Sequence, residues 1–301
     1  MAKWDRRVGP ALSAWRAPEH RTVTPAFLNG PSLIGGPVLI AVIAVTISFA
    51  QQRQGLVPKQ TGPKVMKWTV DGYEREALVF TPARSSVKGK HPLVFAFHGH
   101  GGNMHGTSQL MHLQTLWPYA IVVYPQGLKT PSHVDPNGAA PGWQVEANQD
   151  APVKNRDLDF FDAMVASMRQ KFSVDDSRIY VTGFSNGASF SYLLWAERPG
   201  TIAAIGEVAG RLYQTEHLTQ ARSILAIAGK LDTTDPFASQ EQSIENDRQV
   251  DNATAPGQPC GPNCTFYAST TRTPVKTFIH PGAHVYPPWA PGEIVKFFKA
   301  H

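Results

Sequence analysis

The stretch "RIYVTGFSNGASFSYLLWAE", Arg178–Glu197, places Ser185 between two glycines, at the point where a strand pattern gives way to a helical one. The segment "RIYVT" is rich in β-branched and aromatic residues, which favours a strand, and "ASFSYLLWAE" is typical of a helix. The five residues between them, "GFSNG", fit the pattern G-x-S-x-G. In this context the pattern predicts a sharp turn that presents the serine hydroxyl above a sheet, because the glycines leave room for the turn. The alternative is an ordinary strand-to-helix connection that contains glycine, and the rest of the chain decides between the two.

Strand and helix patterns alternate on both sides of this turn. The segments "KVMKWTV" and "YEREALVF" flank Asp71-Gly72, a dipeptide that strongly favours a β-hairpin. Apolar runs predict six further strands, at Leu93–Phe97, Ile121–Tyr124, Ile179–Thr182, Ala203–Val208, Ile224–Ala228 and Val275–Ile279. Helical patterns cover Leu158–Phe172, Ala188–Glu197 and Glu293–Lys299. An antiparallel hairpin followed by β-α alternation predicts a doubly wound α/β sheet that is mostly parallel, with the hairpin at its N-terminal end.

The positive charge of the chain lies largely at its N-terminus. The 301 residues carry a formal charge of +5, but residues 1–24 hold five Lys/Arg and two acids and residues 25–50 hold no charge, so residues 51–301 carry only +2. A nucleic-acid surface would need basic residues clustered on the folded domain, and we therefore expect no nucleic-acid partner. With 42% hydrophobic residues the chain can bury one large core, so we expect a single catalytic domain.

An uncharged segment, "LIGGPVLIAVIAVTISFA" at Leu33–Ala50, follows the basic N-terminus and has the character of a targeting or anchoring segment. Small residues at Ser48 and Ala50 favour a cleaved signal peptide. An uncleaved membrane anchor is the alternative, because the segment just reaches the length that spans a bilayer. In both cases we expect the catalytic domain outside the cytoplasm. The expected organisation is a signal peptide or signal anchor at residues 1–50, a linker at residues 51–63 and an α/β-hydrolase domain at residues 64–301.

A serine hydroxyl is a poor nucleophile until a base takes its proton, and that base needs an orienting carboxylate. In α/β-hydrolases the serine is followed along the chain by the acid and then by the histidine. The segment "KLDTTDPF" places Asp232 on a loop at the carboxyl end of a strand, with Asp235 as a competitor on the same loop. The segment "HPGAHVYPPW" supplies His284 as the base, whereas His280 is closer to the strand and suits a packing or hydrogen-bonding role.

Acyl transfer also requires backbone N–H groups aimed at the developing alkoxide. One donor is expected from Asn186, the residue after the serine, and the other from the loop in "VFAFHGHGGN", where His100 is the first choice. The histidines at 98, 100 and 105 raise the possibility of a metal. A glycine-rich turn of this kind lacks further ligands at supporting spacing, so we expect neither a metal nor a cofactor.

Two cysteines occur in the chain, Cys260 and Cys264 in "CGPNC". An exported protein permits a disulfide, and Gly261 with Pro262 suits a tight turn between the two. Two thiols alone fall short of a zinc site. We expect a structural disulfide, with free thiols as the alternative.

Taken together, the segments "HGHGGN", "VTGFSNGA", "GKLDTTDPF" and "HPGAHVYPPW", with "NRDLDFFDAMV" before the serine, resemble those of a family of secreted serine esterases. That family contains feruloyl esterases, acetylxylan esterases and extracellular polyhydroxybutyrate depolymerase-like enzymes. The resemblance covers residues 62–301 and implies an α/β-hydrolase fold with Ser185, Asp232 and His284 as a catalytic triad. The chain departs from many relatives in having Ala228-Gly229 where they have His-Gly.

The substrate has to be inferred from what surrounds the site. Residues 125–155 form a long stretch rich in Pro, Gly and Asn, and long loops in compact domains are usually functional. Trp143 in this loop and Trp289 after the proposed base are candidate surfaces for a sugar or aromatic ring, with core packing as the alternative for both. We expect an esterase of plant cell-wall polysaccharide, feruloyl or acetylxylan. The alternatives are a polyhydroxybutyrate depolymerase-like or short-chain carboxylesterase, and a catalytically silent surface-binding protein.

Overall fold

The computed structural model describes residues 60–83, 89–149, 153–213 and 218–301. All of them fall within one compact unit, Leu56–His301. The expected signal or anchor and residues 51–59 of the expected linker lie outside the described residues. Within the described ranges, no helix is both long enough and apolar enough to cross a membrane.

Twelve strands are found in the described part of the chain: β1 (Lys64–Val70), β2 (Tyr73–Phe80), β3 (His91–Phe97), β4 (Ile121–Pro125), β5 (Leu128–Lys129), β6 (Pro141–Gly142), β7 (Val174–Phe184), β8 (Ala204–Val208), β9 (Ser223–Gly229), β10 (Gln258–Gly261), β11 (Cys264–Tyr267) and β12 (Val275–His280). Ten of them form one sheet in the order β1-β2-β4-β3-β7-β8-β9-β12-β11-β10, while β5 pairs with β6. The six central strands run parallel to one another, in the spatial order β4-β3-β7-β8-β9-β12. Antiparallel pairs extend the sheet at both edges. The predicted architecture, a mostly parallel α/β sheet with an antiparallel hairpin at its N-terminal end, is confirmed.

The predicted N-terminal hairpin is present as β1 and β2, with Val70 paired to Tyr73 across a two-residue turn. Both turn residues have positive φ, 51° at Asp71 and 79° at Gly72. This is the conformation of a type I′ turn, whose twist matches that of the two strands it joins. Asp-Gly is favoured there because both residues tolerate left-handed backbone, so the hairpin follows directly from the local sequence.

Six helices are described: α1 (Met104–Met111), α2 (Leu113–Leu116), α3 (Arg156–Lys171), α4 (Asn186–Glu197), α5 (Phe237–Val250) and α6 (Ala290–Ala300). Along β3, Leu93, Phe95 and Phe97 belong to one hydrophobic cluster, which they share with the apolar side chains of α3 and α4. The alternate residues Val94 and Ala96 belong to a second cluster, which contains the apolar faces of α1 and α6. Because successive strand residues point to opposite faces, helices cover both faces of the sheet and bury it.

All six predicted apolar runs form strands of the central sheet, and the largest difference is at β7, which begins five residues before the predicted start. Helices α1 and α2 were not predicted, and neither was α5. Its buried face contains Gln240, Ser243, Ile244 and Asp247, so it lacks the apolar periodicity that reveals an amphipathic helix. Its burial depends on hydrogen bonds that only the folded chain supplies.

The two cysteines are joined by a disulfide, as predicted. The bond links β10 to β11, a short hairpin at the outer edge of the sheet. Gly261 has a φ of 140° and Asn263 a φ of 57°, so the chain turns sharply between the two cysteines. The disulfide therefore closes a local turn at the edge of the sheet rather than joining distant elements.

Candidate active site

Ser185 lies in the turn between β7 and α4, with φ 55° and ψ −123°. This backbone region favours glycine, and a serine held there is strained. The flanking glycines make the turn possible: a Cβ at Gly183 would lie 2.2 Å from the carbonyl carbon of Gly187, and one at Gly187 would lie 2.4 Å from the carbonyl oxygen of Phe97. The Ser185 N–H donates to the carbonyl of Val208 at 2.9 Å, which ties the turn to the end of β8. The strand-turn-helix geometry expected from the sequence is present.

The side chains of Ser185, Asp232 and His284 meet at the carboxyl ends of the parallel strands. His284 Nε2 lies 2.8 Å from Ser185 Oγ, and His284 Nδ1 lies 2.7 Å from Asp232 Oδ2. A carboxylate can only accept here, so Nδ1 carries the proton and Nε2 is free to accept the serine O–H. This is the arrangement that a nucleophile, a base and an orienting acid require.

The Asp232 carboxylate is buried and accepts four hydrogen bonds. Its Oδ1 accepts from the backbone N–H groups of Thr234 and Asp235, both at 3.0 Å. Its Oδ2 accepts from His284 and also from Gln240 Nε2, at 2.9 Å. The four hydrogen bonds hold the carboxylate in one orientation.

The competing residues on the same two loops lie in other environments. Asp235 is buried 3.1 Å from Arg211 Nε. Burial raises the pKa of the Asp235 carboxyl, an effect that the positive charge of Arg211 partly offsets. His280 accepts the N–H of Gly282 through Nδ1 at 3.0 Å, and burial lowers the pKa of its imidazole. Neither side chain is the one that bridges serine and carboxylate.

The loop after β3 lies against the serine. A Cβ at Gly99 would lie 3.4 Å from Ser185 Cβ, so a side chain there would crowd the nucleophile. The next N–H groups along the loop are engaged, since Gly101 donates to the Pro141 carbonyl at 2.7 Å and Gly102 to the Gly99 carbonyl at 2.9 Å. The His100 ring contacts Asp135 Oδ2 through Nε2 at 3.0 Å. His100 and Ser185 both line the same cavity.

The His98 ring forms hydrogen bonds that stabilise the loop after β3. Its Nε2 accepts the Gly127 N–H at 2.9 Å, so the ring proton is on Nδ1, which donates to the Gly99 carbonyl at 2.8 Å. Burial lowers the pKa of His98 to about 4. The imidazole is therefore neutral near pH 7, as this hydrogen-bond pattern requires. In the described residues no group of three or more His, Cys, Asp or Glu side chains is placed to hold a metal ion.

A cavity of about 260 Å³ opens beside Ser185. Ser185, Asn186 and Ser189, at the start of α4, line it. The long loop expected to carry substrate information contributes much of the wall, through Pro131, Ser132, His133, Val134, Val145, Glu146 and Gln149. Tyr213, Thr234 and Asp235 complete the lining. The loop at residues 125–155 therefore shapes the space next to the serine.

The two candidate tryptophans have different surroundings: Trp143 is buried and Trp289 is partly exposed. Trp143 is 1% exposed, packs against Phe97 and Phe190, and donates from Nε1 to the His98 carbonyl at 3.0 Å. This corrects the expectation of a stacking surface, because the indole is part of the core. Trp289 is 40% exposed and packs against Phe278, but it is not among the residues that line the cavity.

Asn186 fixes the long loop through its side chain as well as through its position after the serine. Its Oδ1 accepts the Trp143 N–H at 2.7 Å and its Nδ2 donates to the Trp143 carbonyl at 2.9 Å. Sequence reasoning missed this contact, and it missed Gln240, Arg211, His133 and Tyr213. These residues lie on unpredicted or irregular segments, and no local pattern distinguishes them from surface polar residues.

Comparisons with known proteins relate the chain to a family of esterases. A family profile described as phospholipase/carboxylesterase matches residues 83–249, more than half of the chain. The chain is 30% identical over 138 residues to feruloyl esterase C of Emericella nidulans, an alignment that covers 46% of this chain and 47% of that protein. It is 26% identical over 180 residues to a probable feruloyl esterase C of Aspergillus clavatus, covering 60% of this chain and 61% of that one. The matched part of the chain thus spans roughly half of these curated relatives.

Solved structures share the fold at low sequence identity. An acetyl xylan esterase from Aspergillus awamori superposes with a TM-score of 0.61 at 15% identity, covering 79% of this chain and 100% of that one. The predicted resemblance to feruloyl and acetylxylan esterases is confirmed by these matches. Fold, serine turn and family profile agree, and this chain belongs to the phospholipase/carboxylesterase family of α/β-hydrolases.

Proposed function

We propose that this protein is an extracytoplasmic serine esterase that hydrolyses ester groups on plant cell-wall polysaccharides, as a feruloyl or acetylxylan esterase. One observation carries the proposed chemistry: His284 lies within hydrogen-bond distance of both Ser185 Oγ, at 2.8 Å, and Asp232 Oδ2, at 2.7 Å. This arrangement supports roles for Ser185 as nucleophile, His284 as general base and Asp232 as the carboxylate that orients it.

In the first half of the reaction His284 Nε2 takes the proton of Ser185 as Oγ attacks the ester carbonyl carbon. The alkoxide that forms is stabilised by the backbone N–H of Asn186 and by that of His100, the second proposed donor. The engagement of the Gly101 and Gly102 N–H groups in bonds within the loop region supports His100 for this role. When the carbon–oxygen bond breaks, the alcohol leaves with the proton from His284, and the acyl group remains on Ser185.

In the second half His284 takes a proton from water, and the resulting hydroxide equivalent attacks the acyl-enzyme. The second tetrahedral alkoxide is held by the same donors, and Ser185 leaves with the proton returned by His284. The acid product is released and the starting enzyme is regenerated. Proton transfer and nucleophilic attack account for every bond made and broken.

The surroundings of His284 support a large alcohol portion. Leu231 is 67% exposed, and its N–H donates to the carbonyl of Gly282 on the loop that holds His284. Val285, which follows His284 on that loop, is 47% exposed. Since the leaving alcohol receives its proton from His284, it departs on this side. The side chains of Leu231 and Val285 face solvent, which suits an alcohol that belongs to a polymer. The relatives named as feruloyl esterases favour the same substrate class.

Export is supported by the sequence of residues 1–50. A basic N-terminus followed by an uncharged apolar segment is typical of a signal peptide or a signal anchor. Plant cell-wall polymers are outside the cell, so the proposed substrate and the proposed location agree. A membrane would be a partner only if the segment remains uncleaved.

The decisive experiment measures hydrolysis of methyl ferulate, acetylated xylan and polyhydroxybutyrate by the full chain and by the variant Ser185→Ala. We expect release of ferulate or acetate by the wild type and a loss of at least about 10⁴-fold in kcat/KM in the variant. Hydrolysis of polyhydroxybutyrate alone would replace the polysaccharide proposal with the depolymerase alternative. Equal inactivity of both proteins on all three substrates, with retained polysaccharide binding, would favour a binding protein instead.

A further inference from the structure

The cavity beside Ser185 lies on the acyl side of the proposed reaction. Of the described residues, Ser185, Asn186 and His100 line it, and these carry the nucleophile and the proposed oxyanion donors. His284 is not among its lining residues, although the alcohol must leave towards His284 to receive its proton. A substrate whose alcohol lies at His284 therefore directs its acyl group into the cavity.

One contact joins two separate loops that both line this cavity. His133, from the long loop after β4, lies 2.9 Å through Nε2 from the carbonyl oxygen of Thr234, on the loop that carries Asp232. The same ring lies 3.3 Å through Nδ1 from Tyr213 Oη. All three residues line the cavity. His133 thus bridges two walls that are otherwise about a hundred residues apart along the chain.

The direction of each hydrogen bond in this bridge is determined. A carbonyl oxygen only accepts, so His133 Nε2 carries the proton and donates to Thr234. In the neutral imidazole Nδ1 is then an acceptor, and it accepts a hydrogen bond from the Tyr213 O–H. The Tyr213 oxygen in turn accepts from Arg211 Nη2 at 3.2 Å. The hydrogen bonds form one consistent chain from Arg211 to Thr234.

The Tyr213 end of the chain is fixed by its neighbours. The Arg211 guanidinium lies over the Tyr213 ring, 4.5 Å from its centroid. Arg211 also forms an ion pair with the buried Asp235 and donates to Ser239 Oγ at 3.3 Å, which attaches it to α5. His133 is exposed and lies on an irregular loop, so its position depends on its two hydrogen bonds.

We propose that His133 is a specificity-determining residue, and that its bridge to Thr234 and Tyr213 limits the length of the acyl group that the cavity accepts. The inference rests on the proposed function, because it assigns the acyl portion of the substrate to this cavity. Short acyl groups fit in front of the bridge, whereas longer ones meet the His133 ring. Replacing His133 by alanine removes the ring that forms this limit. It also removes the two hydrogen bonds by which the ring joins Thr234 and Tyr213.

The test compares kcat/KM for p-nitrophenyl acetate and p-nitrophenyl octanoate, which share one alcohol and differ only in the acyl group. For His133→Ala we expect the octanoate-to-acetate ratio to rise by about tenfold, the size of effect that pocket contacts produce between substrates differing in methylene groups. Tyr213→Phe keeps the ring but removes the hydroxyl that donates to His133, and we expect a smaller rise in the same ratio. Thermal unfolding of each variant checks that it is folded.

His91→Ala is the matched control. His91 also contacts a single backbone carbonyl, that of Tyr119 at 3.1 Å, but it lies at the opposite end of β3 from the active site. We expect its ratio to equal that of the wild type. Unchanged ratios in both His133→Ala and Tyr213→Phe, with acetate hydrolysis retained, would overturn the specificity proposal and leave the esterase function intact. A wild type that hydrolyses neither ester would overturn the proposed function and the specificity role with it.

Discussion

Gln240 and His284 share one oxygen of the Asp232 carboxylate. Gln240 Nε2 lies 2.9 Å from Oδ2, and His284 Nδ1 lies 2.7 Å from the same atom. Gln240 also donates to the carbonyl of Asp235, so it fixes the carboxylate relative to its own loop. Gln240 does not touch the reacting atoms, and its role is to position the residue that positions the base.

At the residue scale we predict that Gln240→Leu lowers kcat by about tenfold, because a hydrogen bond to a charged group contributes about 1.5 kcal/mol. We expect KM to change little, since Gln240 does not line the cavity. Initial rates with p-nitrophenyl acetate measure both constants. Gln242→Leu, on the exposed face of the same helix, is the control and should behave as wild type. A change in KM at constant kcat would contradict the positioning role.

At the scale of elements, the parallel strands position the active-site residues, whereas the antiparallel pair β10–β11 extends one edge of the sheet. The active-site loops follow β7, β9 and β12, whose carboxyl ends meet at one edge of the parallel part. The hairpin β10–β11 only extends the sheet beyond β12. Its disulfide closes a loop with a sequence separation of 4, and short loops have little conformational entropy to lose.

We therefore predict that the double variant Cys260→Ser/Cys264→Ala loses about 2 kcal/mol of unfolding free energy, the value expected for so short a loop, and keeps its activity. Urea unfolding followed by tryptophan fluorescence measures the loss, and hydrolysis of p-nitrophenyl acetate measures the activity. Reduction of the wild type with dithiothreitol should produce the same change in stability. A loss of activity in a variant that remains folded would show that the hairpin reaches the active site.

At the scale of the whole molecule, buried carboxyl groups on one side of the sheet make stability depend on pH. Glu207, Asp247 and Asp251 are buried, and each has an oxygen without a hydrogen-bond partner. Burial raises the pKa of Glu207 and of Asp247 well above the ordinary values, and it raises that of Asp251 from 3.8 to about 8. At a pH between its unfolded and folded pKa values, such a group holds a proton in the folded state that the unfolded chain has released.

For Asp251 the sign follows from its raised pKa of about 8. Between the ordinary value of 3.8 and about 8 the folded chain binds a proton that the unfolded chain has lost, so the free energy of unfolding falls as pH rises. The slope for one group is at most about 1.4 kcal/mol per pH unit. We predict that Asp251→Asn removes this contribution, so that its stability relative to wild type increases from pH 5 to pH 8.

Urea unfolding at pH 5, 6, 7 and 8 tests this prediction. Asp251 Oδ1 accepts a hydrogen bond from the Arg222 N–H at 2.7 Å, and the amide oxygen that Asp251→Asn introduces can accept the same bond. Asp175→Asn is the control, since hydrogen bonds from Ser177 lower the pKa of this exposed carboxyl and its ionisation is complete above pH 5. A stability difference between Asp251→Asn and wild type that stays constant across this pH range would show that Asp251 is ionised in the folded state.

Local sequence predicted those parts of the molecule that local forces determine. The Asp71-Gly72 turn, the apolar strands and the G-x-S-x-G turn each depend on the backbone preferences or apolar character of a few adjacent residues. Helix α5 escaped prediction because its buried face is polar, and Trp143 was expected on the surface because an aromatic residue in a polar loop gives no local sign of burial. Both errors come from contacts with residues distant along the chain.

The sequence by itself determined the central strands and the serine turn, because hydrophobic periodicity and glycine sterics act over short distances. It also indicated Ser185, Asp232 and His284 as candidates, through their order along the chain. Only the tertiary structure decided that His284 lies between the other two, that Gln240 supports the acid and that His133 contacts the carbonyl of Thr234. These contacts join segments from 8 to 101 residues apart. Hydrogen bonds between such segments require distances of about 3 Å, and only the packed sheet and helices bring the atoms that close.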